Sequence, residues 1–177
     1  MLFNLGFGMV TPFIWEKLAD YQKNRILTFL NPGHDPRGAG YQIIQSKIAI
    51  GSGGILGKGY LQGSQTKLDF LPERHTDFIF ASIAEELGFV GAGAILIAIF
   101  FVLSRLLTFM QSPQSPAARA FLAGLFLTLL AQTVIHIGMN MGIVPITGVP
   151  LPLVSAGGSS LLATLMGLGI AVGAKKS

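Results

Sequence analysis

Between Glu73 and Asp77 the chain sets a carboxylate, a guanidinium, an imidazole and a second carboxylate in close succession, as Glu73, Arg74, His75 and Asp77. A carboxylate in reach of a hydroxyl can take its proton, and an arginine presents a planar fork suited to bidentate phosphate contact. Lys47 and Lys58 are the further cations available to an anionic ligand. Each of these cations also reads as an ordinary loop residue, solvated or touching lipid headgroups. Asp77 has a second reading too. Thr76-Asp77 stands where an apolar run begins, and an Asp in a first helical turn stabilises the helix terminus. Downstream, Glu85 and Glu86 are costly if they face lipid, so they face a helix bundle. At helical spacing Asp77, Ala81 and Glu85 share one broad face, which lets Glu85 extend a polar path from Asp77. Structural pairing of Glu85 is the equal alternative.

Other constellations exclude more than they offer. Gly51-Ser-Gly-Gly-Ile-Leu-Gly-Lys-Gly59 approaches a phosphate-binding loop, but Ser52 and Gly59 stand where the motif needs a glycine and a hydroxyl residue. The run reads instead as a flexible hinge whose glycines let the backbone approach a headgroup or partner. His34, His75 and His136 have no metal-ligand spacing, and with no cysteine there is neither a disulfide framework nor a thiolate site. Gln132, His136 and Asn140 follow each other at every fourth position, a polar stripe suited to interhelical hydrogen bonds or to a ligand or proton path. Gly169 and Gly173 form a small-xxx-small pair that suits tight helix packing, as do the small side chains around Gly157 and Gly158.

The elements that must position these groups are membrane helices. Charged residues make up 11% of the chain, against roughly 25% in soluble domains, and 51% are hydrophobic. Leu87 to Leu103 carries no charge, and Ala120 to Ala174 carries none either, enough for two spans of about 20 residues with a turn marked by Pro145, Gly148, Pro150 and Pro152. The predicted spans are residues 79–104, 119–141 and 152–174. Residues 1–15 read as the exit half of a further helix. Residues 16–77 form a polar loop too long to be a passive connection. Within it Tyr41, Ile44 and Ile48 recur at helical spacing, which predicts a short amphipathic helix, lying on the membrane surface or packed on its own loop. The fold class is therefore all-α, a polytopic transmembrane bundle with a long extracellular loop. Lys175, Lys176, Arg105 and Arg119 fall on one side, which the positive-inside rule makes cytoplasmic. The net charge of +4 reads as loops facing anionic lipid, not nucleic acid.

Three stretches carry a family resemblance: G-A-G-Y-Q-I-I-Q-S-K-I-A-I-G-S-G-G-I-L-G-K-G from Gly38, F-L-P-E-R-H-T-D-F-I-F-A from Phe70 with Glu85-Glu86-Leu87-Gly88 after it, and G-V-P-L-P-L-V-S-A-G-G-S-S from Gly148. In this order they resemble the RodA/FtsW/SpoVE (SEDS) proteins, RodA more closely than FtsW, from about Tyr21 to the end. Ala156 departs from the aromatic common at its position. The resemblance implies a multi-pass protein of the bacterial inner membrane, of which this chain holds the C-terminal half. It implies a peptidoglycan glycosyltransferase that polymerises lipid II into glycan strands for cell-wall elongation and cell shape. Asp77 would be the essential carboxylate, with Arg74, Lys47, Lys58 and Glu85 as candidate substrate contacts. The implied partners are lipid II, the growing glycan strand, membrane lipids and a class B penicillin-binding transpeptidase. No cofactor is fixed, and a divalent cation, Mg or Mn, is left open. A flippase for the lipid-linked precursor and a noncatalytic membrane scaffold are the rival functions.

Overall fold

The computed structural model describes residues 15–36, 38–67, 75–111 and 115–174. Most of the partial helix expected over 1–15, together with Glu73, Arg74, Lys175 and Lys176, lies outside them. The described residues are all-helical: α1 (Asp20–Leu30), a 3-10 turn (Pro32–His34), α2 (Ala39–Ser52), α3 (Ser64–Lys67), α4 (Ile79–Gln111), α5 (Pro116–Asn140) and α6 (Gly158–Ala174).

Helix α4 runs for 33 residues and α5 for 25, each apolar and long enough to cross a bilayer. α5 opens on Ser115, whose Oγ accepts from Ala118 N, followed by Pro116 at a position where a missing N–H costs nothing. α4, α5 and α6 meet along a core of Ile99, Leu103, Leu106, Leu122, Leu129, Leu151 and Ala171. Helix α6 is shorter than expected. It begins at Gly158, not near 152, because the chain over 151–155 folds into a tight turn in which Leu153 has a φ of +64°, outside the helical region. There Val154 N and Ser155 N both bond Leu151 O, and Leu151 N bonds Ser155 Oγ at 2.8 Å. The face of α6 turned inward carries Thr164 and Ala171, with Gly167 against Leu125, whereas a Cβ on Gly169 or Gly173 would meet no neighbouring atom within 4 Å among the described residues. Among the described residues, the close approach of α6 to α5 is at Gly167.

Helix α4 is interrupted at Gly88, where φ is +68° and ψ is −165°. The backbone groups freed by this break are taken by the glycine-rich run. Phe89 N donates to Gly54 O and Val90 N to Ile55 O, while Lys58 N donates to Glu85 O and Gly59 N to Glu86 O, all at 2.9–3.1 Å. Gly88 and Gly57 lie backbone to backbone, and a Cβ on either would collide with main-chain atoms of the other segment. The run is thus a docked brace rather than a flexible hinge. The close approach its glycines permit is to α4.

Helix α2 packs on α4 and α5 through Ile43, Ser46 and Ala49, while Gly40 lies against the main chain of Pro32 and Asp35. Ile44 and Ile48, two of the expected apolar stripe, are 43% and 45% exposed. The face that packs on α4 and α5 is a second one, whose Ser46 and Ala49 are small and allow close helix approach without a strongly apolar signature.

Candidate active site

The segment from His75 to Phe78 forms a turn that leads directly into α4. Three successive carbonyls of this turn accept hydrogen bonds from the C-terminal part of the chain. Ala156 N donates to His75 O, Ser155 Oγ to Thr76 O and Asn140 Nδ2 to Asp77 O, each at 2.9 Å. A turn pinned at three consecutive peptides has little freedom to tilt, so the side chain of Asp77 inherits a fixed origin. Asp77 is half-buried, and its Oδ2 lies 3.5 Å from the point where a Cβ on Gly148 would sit. The carboxylate therefore rests against the loop that leads to Pro150.

The helix-terminus expectation for Asp77 needs correction in position. Asp77 precedes α4, whose first turn contains no acidic residue. The Ala81 amide, which a capping side chain would take, bonds Asn140 Oδ1 at 3.1 Å.

Asn140 is the centre of this arrangement and is fully buried. Besides Asp77 O and Ala81 N, its side chain reaches His136 O at 2.8 Å, and its own carbonyl accepts from Ser46 Oγ at 2.8 Å. His136 is buried one turn earlier, its Nδ1 2.8 Å from Val149 O. Of the polar stripe, Asn140 makes interhelical hydrogen bonds and His136 ties α5 to the Pro150 loop, while Gln132 is half-buried.

The remaining candidates divide between two places. Lys47 follows Ser46 on α2, is exposed, and lies against Gly142, with Nζ 2.6 Å from where a Cβ there would be. It thus stands at the end of α5 that holds the Asp77 turn. Lys58 and Glu85 are drawn to each other instead. Lys58 Nζ lies 2.9 Å from Glu85 Oε1, and that oxygen also accepts from Ser64 Oγ at 3.2 Å and Gln65 N at 3.0 Å. Of the two readings of Glu85, structural pairing is the one realised. Its carboxylate closes the loop onto α4. Ser46, Ser155 and Gly148 are site residues that sequence reasoning passed over. Ser46 carries no apolar signature in the sequence, and the orphan carbonyl of Asn140 at the end of α5 explains its burial.

Comparison with known proteins sets these features in a family. The family model described as "Cell cycle protein" (FtsW, RodA, SpoVE) matches residues 1–177. Peptidoglycan glycosyltransferase MrdB of Escherichia coli K12 is 52% identical over 160 residues, covering 90% of this chain and 43% of MrdB. Peptidoglycan glycosyltransferase RodA of Treponema pallidum is 45% identical over 155 residues, covering 86% of this chain and 35% of RodA. Among solved structures, a chain of a peptidoglycan synthase complex described as coordinating polymerisation and crosslinking matches with a TM-score of 0.72 at 39% identity, covering 99% of this chain and 47% of that one. An aspartate-to-alanine mutant of the rod shape determining protein RodA of Thermus thermophilus matches with a TM-score of 0.56 at 28% identity, covering 90% of this chain and 59% of that one. This chain thus spans less than half the length of the curated relatives it matches. Its apolar helices and these matches make it part of a multi-pass membrane protein. The chain belongs to the FtsW/RodA/SpoVE family of cell cycle proteins.

Proposed function

We propose that the full-length protein carrying this chain is a peptidoglycan glycosyltransferase of the bacterial inner membrane. It polymerises lipid II, a lipid-linked disaccharide pyrophosphate, into glycan strands for cell-wall elongation, with Asp77 as general base. The names of the relatives support the reaction class, MrdB at 52% identity above all. The observation that carries the choice of Asp77 is the three-point fixation of its turn, with the Ala81 amide already bonded to Asn140. Such fixation suits a side chain that must meet a reacting atom, since catalytic groups need their positions set by surrounding packing and hydrogen bonds.

The chemistry follows from the groups. A sugar hydroxyl is a weak nucleophile near neutral pH. As the 4-hydroxyl of one glycan end attacks the anomeric carbon of the other sugar, Asp77 takes its proton and the lipid pyrophosphate leaves. General-base help of this kind contributes roughly 100- to 10,000-fold. Lys47, exposed at the same end of α5, is the described cation best placed to meet the leaving pyrophosphate. Arg74, three residues before Asp77, is its companion in sequence. A class B penicillin-binding transpeptidase is the partner proposed for the whole protein, in keeping with the synthase complex that this chain resembles.

The test is polymerisation of purified lipid II by the full-length protein with Asp77→Asn. Asn caps helices as well as Asp but offers no basic oxygen. The expected result is a loss of about 100-fold or more with the protein folded and abundant. Near-normal polymerisation by a folded Asp77→Asn protein removes the assignment.

A further inference from the structure

We propose that Asn140 is a positioning residue for Asp77, an inference that rests on the reading of Asp77 as the base. Helix α4 starts after Phe78, whose side chain cannot cap it, and Phe78 is itself buried. The amide an N-cap would satisfy, Ala81 N, is satisfied from another helix by Asn140 Oδ1. Asn140 thus supplies to α4 in tertiary contact what a local Asp, Ser or Thr supplies elsewhere. The amide orientation is fixed by its surroundings. Two carbonyls, Asp77 O and His136 O, face Nδ2, and one N–H faces Oδ1, so no flipped side chain satisfies all three.

Two consequences follow for the site. The carboxylate of Asp77 is relieved of capping the Ala81 amide, a role that would hold it against the helix end and draw its charge into the backbone. At the same time Asp77 O is tied to the last residue of α5, so the carboxylate is placed relative to α5 rather than to the loop before it. Ser46 Oγ, donating to Asn140 O, carries the same tie to α2, and the next residue on α2 is Lys47. Base and candidate phosphate contact are thereby referred to one buried residue, Asp77 through its side chain and α2 through its main-chain carbonyl.

The experiment uses the full-length protein and lipid II, with rates expressed per folded molecule. Asn140→Ala removes all three side-chain bonds. Asn140→Asp, nearly identical in shape, keeps the acceptor for Ala81 N and loses both donations. Each is expected to lower kcat about 10- to 100-fold, the size of effect a misplaced catalytic group produces, with KM for lipid II changed less than about 2-fold. In an Asp77→Glu background, where the carboxylate is already displaced, Asn140→Ala is expected to cost less than about 3-fold, because coupled residues are not additive. A loss of equal size in both backgrounds, or full activity of Asn140→Ala, overturns the proposal. Failure of both position-140 variants to fold makes the residue structural only and overturns it as well. Full activity of Asp77→Asn measured alongside removes the base itself, an outcome distinct from any of these.

Discussion

Lys58 Nζ lies 2.9 Å from Glu85 Oε1, and Glu85 is fully buried while the lysine side chain is 31% exposed. A buried carboxylate is costly to desolvate, and removing a cation paired with it costs about 3–5 kcal/mol. Lys58→Met in the full-length protein is expected to fall in that range, read as a lowered Tm in detergent. The double variant Lys58→Met with Glu85→Met is expected to be more stable than Lys58→Met alone, since it also removes the buried charge. A double variant less stable than the single one contradicts a closed pair.

What the sequence made legible was set by how far each signal travels along the chain. The apolar helices α4 and α5 could be read because a bilayer demands unbroken apolar length. The start of α6 could not be, since Ser155 and Ala156 carry no helix breaker and only the fold shows them engaged with the Asp77 turn. Glu85 and Lys58 were both singled out, yet their pairing joins residues 27 apart in sequence. The buried face of α2 escaped periodicity because Gly40, Ser46 and Ala49 are small and only Ile43 is a large apolar residue. Asn140 stood out as polar within an apolar helix, but that it reaches Asp77 O and Ala81 N depends on α5 ending beside the start of α4.

The brace at Gly88 gives a prediction about backbone. Its φ of +68° strains any L side chain, and an added Cβ would meet main-chain atoms of Gly57 and Ile55. Gly88→Ala is expected to destabilise by more than about 2 kcal/mol, from left-handed strain and displacement of the 54–59 run together. Gly51 is the control. It is helical and exposed with nothing within 4 Å, so Gly51→Ala is expected to be neutral or to stabilise by up to about 1 kcal/mol. Equal Tm values for the two variants contradict the docked geometry.

Sidedness is a separate prediction. The proposed reaction places residues 16–77 outside the cytoplasm, and Tyr60 is 75% exposed. A cysteine replacing Tyr60 in the full-length protein is expected to react with a membrane-impermeant maleimide in spheroplasts, whereas a cysteine replacing Ser177 reacts only after permeabilisation. The reverse pattern contradicts the orientation.

The last prediction separates the Asp77 turn from its support on the far side. Ser155 is 5% exposed, and its hydroxyl does two things at once: it accepts from Leu151 N at 2.8 Å and donates to Thr76 O at 2.9 Å. Ser155→Ala leaves a buried donor and a part-buried acceptor without that partner, at a cost of about 1–3 kcal/mol. The damage is not confined to stability, because the freed carbonyl belongs to the peptide just before Asp77. Polymerisation by the full-length protein is expected to fall about 10-fold, with faster amide exchange across residues 75–78. Ser155→Thr keeps the hydroxyl and adds one methyl group in a tight turn, so it is expected to retain more activity than alanine despite a similar loss of Tm. Such a split between activity and stability is what a role in holding the turn requires. If threonine and alanine lose activity in step with Tm, the hydroxyl serves the packing of the Pro150 loop and not the placement of Asp77.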